Sequence, residues 1–197
     1  ALKKNIFKAK FFGDKNGKIT LNNEAETKKI LAEIEGKPFS VSEVKESEKK
    51  RAPAAPFTTS TLQQEASRKM GFPTSKTMMI AQQLYEGIDL GKDGLTGLVT
   101  YIRTDSTRIS IEAATAAEEY ITENFGKQYL PAKRRVFKNR NSSQDAHEAI
   151  RPTMPGLAPE QVKGSLTSDQ YRLYKLIWDR FTASLMANCV HDTCQAD

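Results

Sequence analysis

The run Ala52-Pro53-Ala54-Ala55-Pro56 constrains this chain most, because the hydrophobic period changes across it. Proline fixes its own φ and pushes the preceding residue out of the helical region, so such a run makes a stiff linker or domain boundary. Before it the pattern is short and strand-like. Phe7, Ala9 and Phe11 alternate with Ile6, Lys8 and Lys10. Gly13-Asp14-Lys15-Asn16-Gly17 is turn chemistry and Ile19-Thr20-Leu21 resumes an extended run, so residues 5–21 are expected to form a β-hairpin. Asn23, with Glu26 three residues on, caps a short helix whose apolar positions Ile30, Leu31 and Ile34 share a face, and Gly36 ends it. Phe39, Val41 and Val44 suggest a further strand, followed by the charged run 45–51.

After Pro56 the period becomes helical. One helix opens at Thr61 and stops at Gly71. Thr74 or Ser75 caps a second that runs to Gly87, with Met78 and Met79 read as core filler. Residues 87–97 form a loop and 98–102 are strand-like. Ser110 caps a helix from 111 to 125, with Gly126 as its stop. A short helix is expected over 143–150, broken by Pro152. The last helix starts near Thr167-Ser168 and presents Tyr171, Tyr174, Ile177, Trp178, Phe181 and Leu185 on one face.

Charge is distributed unevenly. The net of +6 over 197 residues divides into +5 for residues 1–56, +2 for 57–153 and −1 for 154–197. Such a balance invites a polyanion partner. Lys133, Arg134, Arg135, Lys138 and Arg140 form a cluster with no acid between Glu123 and Asp145. It reads either as a solvated loop or as a phosphate-contacting strip. No run approaches a membrane span, and Ala1-Leu2-Lys3-Lys4 opens no secretory signal. Two cysteines, Cys189 and Cys194, cannot build a disulfide framework, and with only two histidines in the chain a zinc site is not expected; a reducing cytoplasm fits. The start at Ala1 and the stop just after a strand-like stretch predict an internal piece of a larger protein.

The motifs of common enzymes are missing: no glycine-rich phosphate loop, no G-x-S-x-G elbow, no Asp-x-Asp pair. What stands out is Thr100-Tyr101-Ile102-Arg103-Thr104-Asp105. On an extended backbone Tyr101 and Arg103 project to one face. A free phenol has a pKa of about 10 and is a poor nucleophile at neutral pH. A guanidinium nearby favours the phenolate and binds phosphate bidentately. The pair is therefore a sensible minimum for attacking a phosphodiester, although packing plus a surface charge gives the same residues. In Gln144-Asp145-Ala146-His147-Glu148-Ala149-Ile150-Arg151-Pro152, a helix would bring His147 and Arg151 to one face, pointing at a phosphate or simply at solvent.

Gln83-Leu84-Tyr85-Glu86, a variable loop and Val99-Thr100-Tyr101-Ile102-Arg103-Thr104-Asp105 together closely resemble the active-site motif of the type IA DNA topoisomerases. Pro56-Phe57-Thr58-Thr59-Ser60-Thr61-Leu62-Gln63-Gln64, the His147 segment and Leu173-Tyr174-Lys175-Leu176-Ile177-Trp178 are similar to bacterial members of that family. The loop 87–97 is longer than in some of them. The resemblance implies an α+β fold, with a mainly helical tyrosine-bearing domain at 56–187 inserted in a small β-rich arch domain, formed by 1–55 with 188–197 as its truncated return. It implies an ATP-independent isomerase acting on negatively supercoiled DNA. Tyr101 would cut one strand and hold its 5′ phosphate, and Arg103 would position that phosphate. His147 would contact DNA phosphate with support from Arg151, and the basic strip would add affinity. It places the Mg²⁺ site, and a glutamate serving the leaving 3′ oxygen, in a domain outside this chain. The remaining domains of the same protein are then its partners, and the chain alone is expected to be inactive. A non-catalytic, winged-helix-like nucleic-acid-binding module is the alternative.

Overall fold

The computed structural model describes residues 9–38, 40–41, 43–91, 94–137 and 147–196. The chain divides into two units, Ala1–Glu46 with Cys194–Asp197, and Ser47–Thr193. In the first, strands β1 (Gly13–Asp14) and β2 (Gly17–Lys18) pair antiparallel, Gly13 opposite Lys18. Asp14 closes the turn by accepting the Asn16 N–H at 2.8 Å. A Cβ on Gly13 would collide with the Gly17 carbonyl, so the turn chemistry is a steric requirement. The expected hairpin is thus present but narrower than 5–21, whose first residues lie outside the described ones.

Helix α1 (Glu24–Ile34) begins where Asn23 predicts, with the Asn23 side chain accepting the Glu26 N–H at 2.9 Å. None of its residues is buried; Leu31 is 56% exposed, so the apolar face read from the sequence is left open among the described residues. Strand β3 (Val44–Arg51) corrects another expectation: the charged run is itself the strand, exposed along its whole length. It pairs with β6 (Cys189–Ala196), and the Thr193 hydroxyl donates to the Ser47 carbonyl at 2.8 Å. A ribbon solvated on both faces needs no apolar alternation, which is why the period was silent.

In the second unit, α2 (Thr59–Met70) starts two residues before the expected Thr61, because Thr58 and Thr61 form a capping box; Gly71 ends it in the left-handed conformation at φ 68°. Helix α3 (Thr74–Glu86) has Pro73 at its N-cap, not Thr74 or Ser75. The loop 87–97 contains a minimal antiparallel pair, β4 (Ile88–Asp89) with β5 (Leu95–Thr96). Helix α4 (Ile111–Asn124) is capped by Ser110, as read. A short α5 (Pro159–Val162) precedes α6 (Ser168–Leu185), whose Thr167 and Gln170 form a second capping box.

Helix α6 is the spine of this unit. Leu173, Tyr174 and Ile177 pack with Phe57, Leu62, Leu84, Leu98, Ile102 and Ile150, all fully buried or nearly so. Phe181 and Leu185 continue onto Ala113, Ala117 and Ile121 of α4. The polar tips of the two large aromatics of α6 are satisfied: the Tyr174 hydroxyl donates to the Leu157 carbonyl at 2.7 Å and Trp178 Nε1 to the Pro155 carbonyl at 3.0 Å. Burial pushes the Tyr174 phenol up from its ordinary value. Of the two methionines read as core, Met78 packs against the cluster while Met79 is 56% exposed.

Phe57 ties the chain entry to this core, with Ile150 paired opposite it and the Arg180 guanidinium 4.4 Å over its ring. Phe57→Ala is expected to destabilise the chain by about 3–5 kcal/mol, the usual range for emptying a buried aromatic site. Chemical denaturation of the two proteins measures it, and a midpoint unchanged by the substitution would show that Phe57 is not a core residue.

Candidate active site

Residues 98–108 carry the candidate tyrosine without joining a regular sheet. Leu98 N–H donates to the Leu84 carbonyl at 2.8 Å, Thr100 N–H to the Arg151 carbonyl at 2.9 Å, and Val99 pairs with Pro152. Beyond Ile102 the backbone bends and satisfies itself through side chains. Ser106 N–H goes to Thr104 Oγ1 at 3.0 Å, and Arg108 N–H to Ser106 Oγ at 3.1 Å. Burial alternates cleanly: Ile102 is 1% exposed, Thr104 6% and Ser106 0%, while Tyr101 is 39% exposed and Arg103 lies at the surface. Both side chains are exposed, although the backbone bends at Ile102 and Arg103 and is not the extended segment expected. The guanidinium of Arg103 has no hydrogen bond or ion pair among the described residues.

Two threonines hold this segment. The Thr100 hydroxyl donates to the Ala149 carbonyl at 2.7 Å and accepts the Arg151 N–H at 3.0 Å. On the other side, the Thr59 hydroxyl donates to the Ile102 carbonyl at 2.7 Å and accepts the Thr104 N–H at 2.9 Å. The tyrosine ring itself meets two others. Tyr85, near the end of α3, lies edge-on with centroids 5.7 Å apart, and the His147 ring is 5.2 Å away, tilted by 39°.

His147 does not sit on a helix. Residues 147–149 have no regular secondary structure, and the rest of the expected helix, 143–146, lies outside the described residues. The backbone donors that a helix would use are taken by distant partners: Ala149 N–H by the Arg108 carbonyl at 2.9 Å and Ile150 N–H by the Phe57 carbonyl at 2.8 Å. Arg151 is turned inward, its side chain 11% exposed. Its Nε donates to Glu148 at 2.6 Å and its Nη1 to the Pro152 carbonyl at 2.8 Å, so it braces the segment that follows His147.

The basic strip is not a set of free cations. Lys133 is exposed. Arg134 forks onto both Glu118 oxygens at 2.7 and 2.6 Å, and that carboxylate holds its guanidinium above the ordinary value. Arg135 donates to the Met186 carbonyl at 3.3 Å and to Asn188 at 2.9 Å, beyond the end of α6. Lys138 and Arg140 lie outside the described residues. Among the described residues no group of three or more His, Cys, Asp or Glu could hold a metal ion, and no helix is long and apolar enough to cross a membrane.

The site is thus an exposed phenol beside two aromatic rings, with an unpaired guanidinium two residues on and a backbone pinned from both sides. Chemically, such an arrangement can present a phenol oxygen beside a fork able to hold phosphate. The roles of Thr59 and Tyr85 were not read from the sequence; both lie inside the quoted motifs, but nothing local marks them.

Comparison with known proteins gives these features a family. The family model for DNA topoisomerase matches residues 2–197. The chain belongs to that family, in its type IA class. Among solved structures it is similar to full-length topoisomerase I from Thermotoga maritima, with 46% sequence identity and a TM-score of 0.72. The match covers 93% of this chain and 28% of that one.

Proposed function

We propose that this chain is the nucleophile-bearing part of a longer type IA DNA topoisomerase that relaxes negatively supercoiled DNA. The Tyr101 hydroxyl oxygen attacks the phosphorus of one strand. The P–O bond to the 3′ oxygen breaks, that oxygen leaves with a proton, and the 5′ phosphate stays on Tyr101 as a phosphodiester. A strand passes through the gap, and attack by the 3′ hydroxyl reverses the step. The bond energy is conserved in the tyrosine ester, so no nucleotide hydrolysis is required. Arg103 holds the scissile phosphate through its planar fork. His147 contacts phosphate nearby, and Arg151 acts by bracing the segment beside it. Lys133 adds charge to the DNA surface.

Among the described residues no cluster of carboxylates or histidines is placed to hold Mg²⁺; in this reading the ion belongs to another domain of the same protein. Residues 1–55 with 188–197 form the β-rich arch and 56–187 the helical domain it carries. The protein works on DNA in the cytoplasm, at the nucleoid. The observation that carries the reading is the outward-facing Tyr101–Arg103 pair in a chain 46% identical to a topoisomerase I. The family match gives no support to a non-catalytic winged-helix-like module.

Covalent trapping tests it. The longer protein carrying this chain, incubated with a single-stranded oligonucleotide and denatured, is expected to retain a 5′-phosphoryl fragment on the peptide containing Tyr101. The 197-residue chain alone is expected to form no adduct and relax no plasmid. An adduct mapped to any other residue overturns the assignment, and relaxation by the chain alone overturns the division of labour.

A further inference from the structure

Thr59 is the first residue of α2, where helix N–H groups have no partner inside the helix. Its N–H is taken by the Thr104 carbonyl at 2.9 Å. Its hydroxyl donates to the Ile102 carbonyl at 2.7 Å, with the Thr104 carbonyl a second acceptor at 3.1 Å, and accepts the Thr104 N–H at 2.9 Å. The Ile102 carbonyl and the Thr104 N–H belong to the peptide groups on either side of Arg103, and the Thr104 carbonyl to the next one. The flanking side chains of Ile102 and Thr104 are both buried. At a bend with no regular strand neighbour, one hydroxyl supplies the hydrogen bonds that a sheet would have supplied. What it leaves free at Arg103 is the side chain alone.

We propose that the Thr59 hydroxyl is a positioning group for Arg103, fixing the backbone from which its guanidinium reaches a DNA phosphate. The inference rests on the function proposed above. The guanidinium makes no other described contact, so its aim depends on the two peptides that carry it. Preorganisation of this kind acts on the chemical step more than on binding, because it sets the aim of one group at the reacting centre. A misplacement of about 1 Å at a reacting centre costs on the order of 10²-fold in rate.

The test uses the longer enzyme that contains this chain and single-turnover cleavage of a single-stranded oligonucleotide. Thr59→Val keeps the shape and branching and removes the hydroxyl; Thr59→Ser keeps the hydroxyl and removes the methyl. Thr59→Val is expected to slow cleavage on the order of tenfold or more, with the oligonucleotide Kd unchanged, and Thr59→Ser to restore the rate. In an Arg103→Ala background Thr59→Val should cost nothing further, since the group it positions is gone. Thr59→Ala runs through the same cycle should Thr59→Val not fold. Three results overturn the inference: wild-type cleavage without the hydroxyl, failure of Thr59→Ser to rescue, or full additivity with Arg103→Ala. Absence of a Tyr101 adduct in the wild type would instead overturn the proposed function, so the two failures are distinguishable.

Discussion

Tyr101→Phe in the longer enzyme is expected to abolish cleavage and relaxation while leaving folding and DNA affinity close to wild type. The substitution deletes one oxygen from a side chain that is 39% exposed and makes no described hydrogen bond. The ring contacts with Tyr85 and His147 depend on the aromatic face and survive in phenylalanine. The lost oxygen is, in the proposed reaction, the atom that bonds phosphorus, and nothing else in the segment can replace it. Removing a nucleophile in a concerted site costs on the order of 10⁶-fold, which puts the variant below detection in a plasmid assay. Gel separation of covalent protein–DNA complexes, with a filter-binding isotherm beside it, reads both arms. An adduct surviving in Tyr101→Phe would remove Tyr101 from the mechanism.

Arg103 gives the second large effect. Arg103→Ala is expected to lower the cleavage rate by on the order of 10²–10³, the usual loss when one preorganised donor to a developing charge is removed. Arg103→Lys should fall between alanine and wild type. Lysine restores the positive charge as a point, whereas arginine presents a rigid planar fork to two phosphate oxygens. Arg103 has no described ion pair to lose, so neither variant should shift thermal stability. That separates it from Arg151, whose replacement would break the 2.6 Å pair with Glu148 and leave a mostly buried carboxylate without its partner. Wild-type cleavage by Arg103→Lys would mean that charge alone suffices.

The pattern of what could be read in advance follows the range of the interactions. Helix α4 was legible because Ser110 and Gly126 lie at its ends and its period is local. The same holds for α6, whose apolar face and Thr167 cap sit within one stretch of sequence. The exposure of Tyr101 and Arg103 was legible because it alternates with the buried Ile102 and Thr104 over a few residues. Residues 147–150 were misread because helix periodicity was weighed without the competing acceptors on Arg108 and Phe57. Arg134 and Arg135 looked like a phosphate strip because Glu118 and Asn188 are far away in sequence.

The sequence by itself determined the class of this chain, the placement of most helices and the identity of the exposed tyrosine. Capping, periodicity and motif order act within a few residues, and so they survive in a one-dimensional text. Only the tertiary structure decided which cations remain free, that the 98–102 segment closes on 149–153, and that one hydroxyl at the head of α2 spans the peptides flanking Arg103. These depend on partners from 16 residues apart, as Arg134 is from Glu118, to more than 40 residues apart meeting at hydrogen-bond distance, and no local pattern encodes a distance between segments until the core around α6 has brought them together.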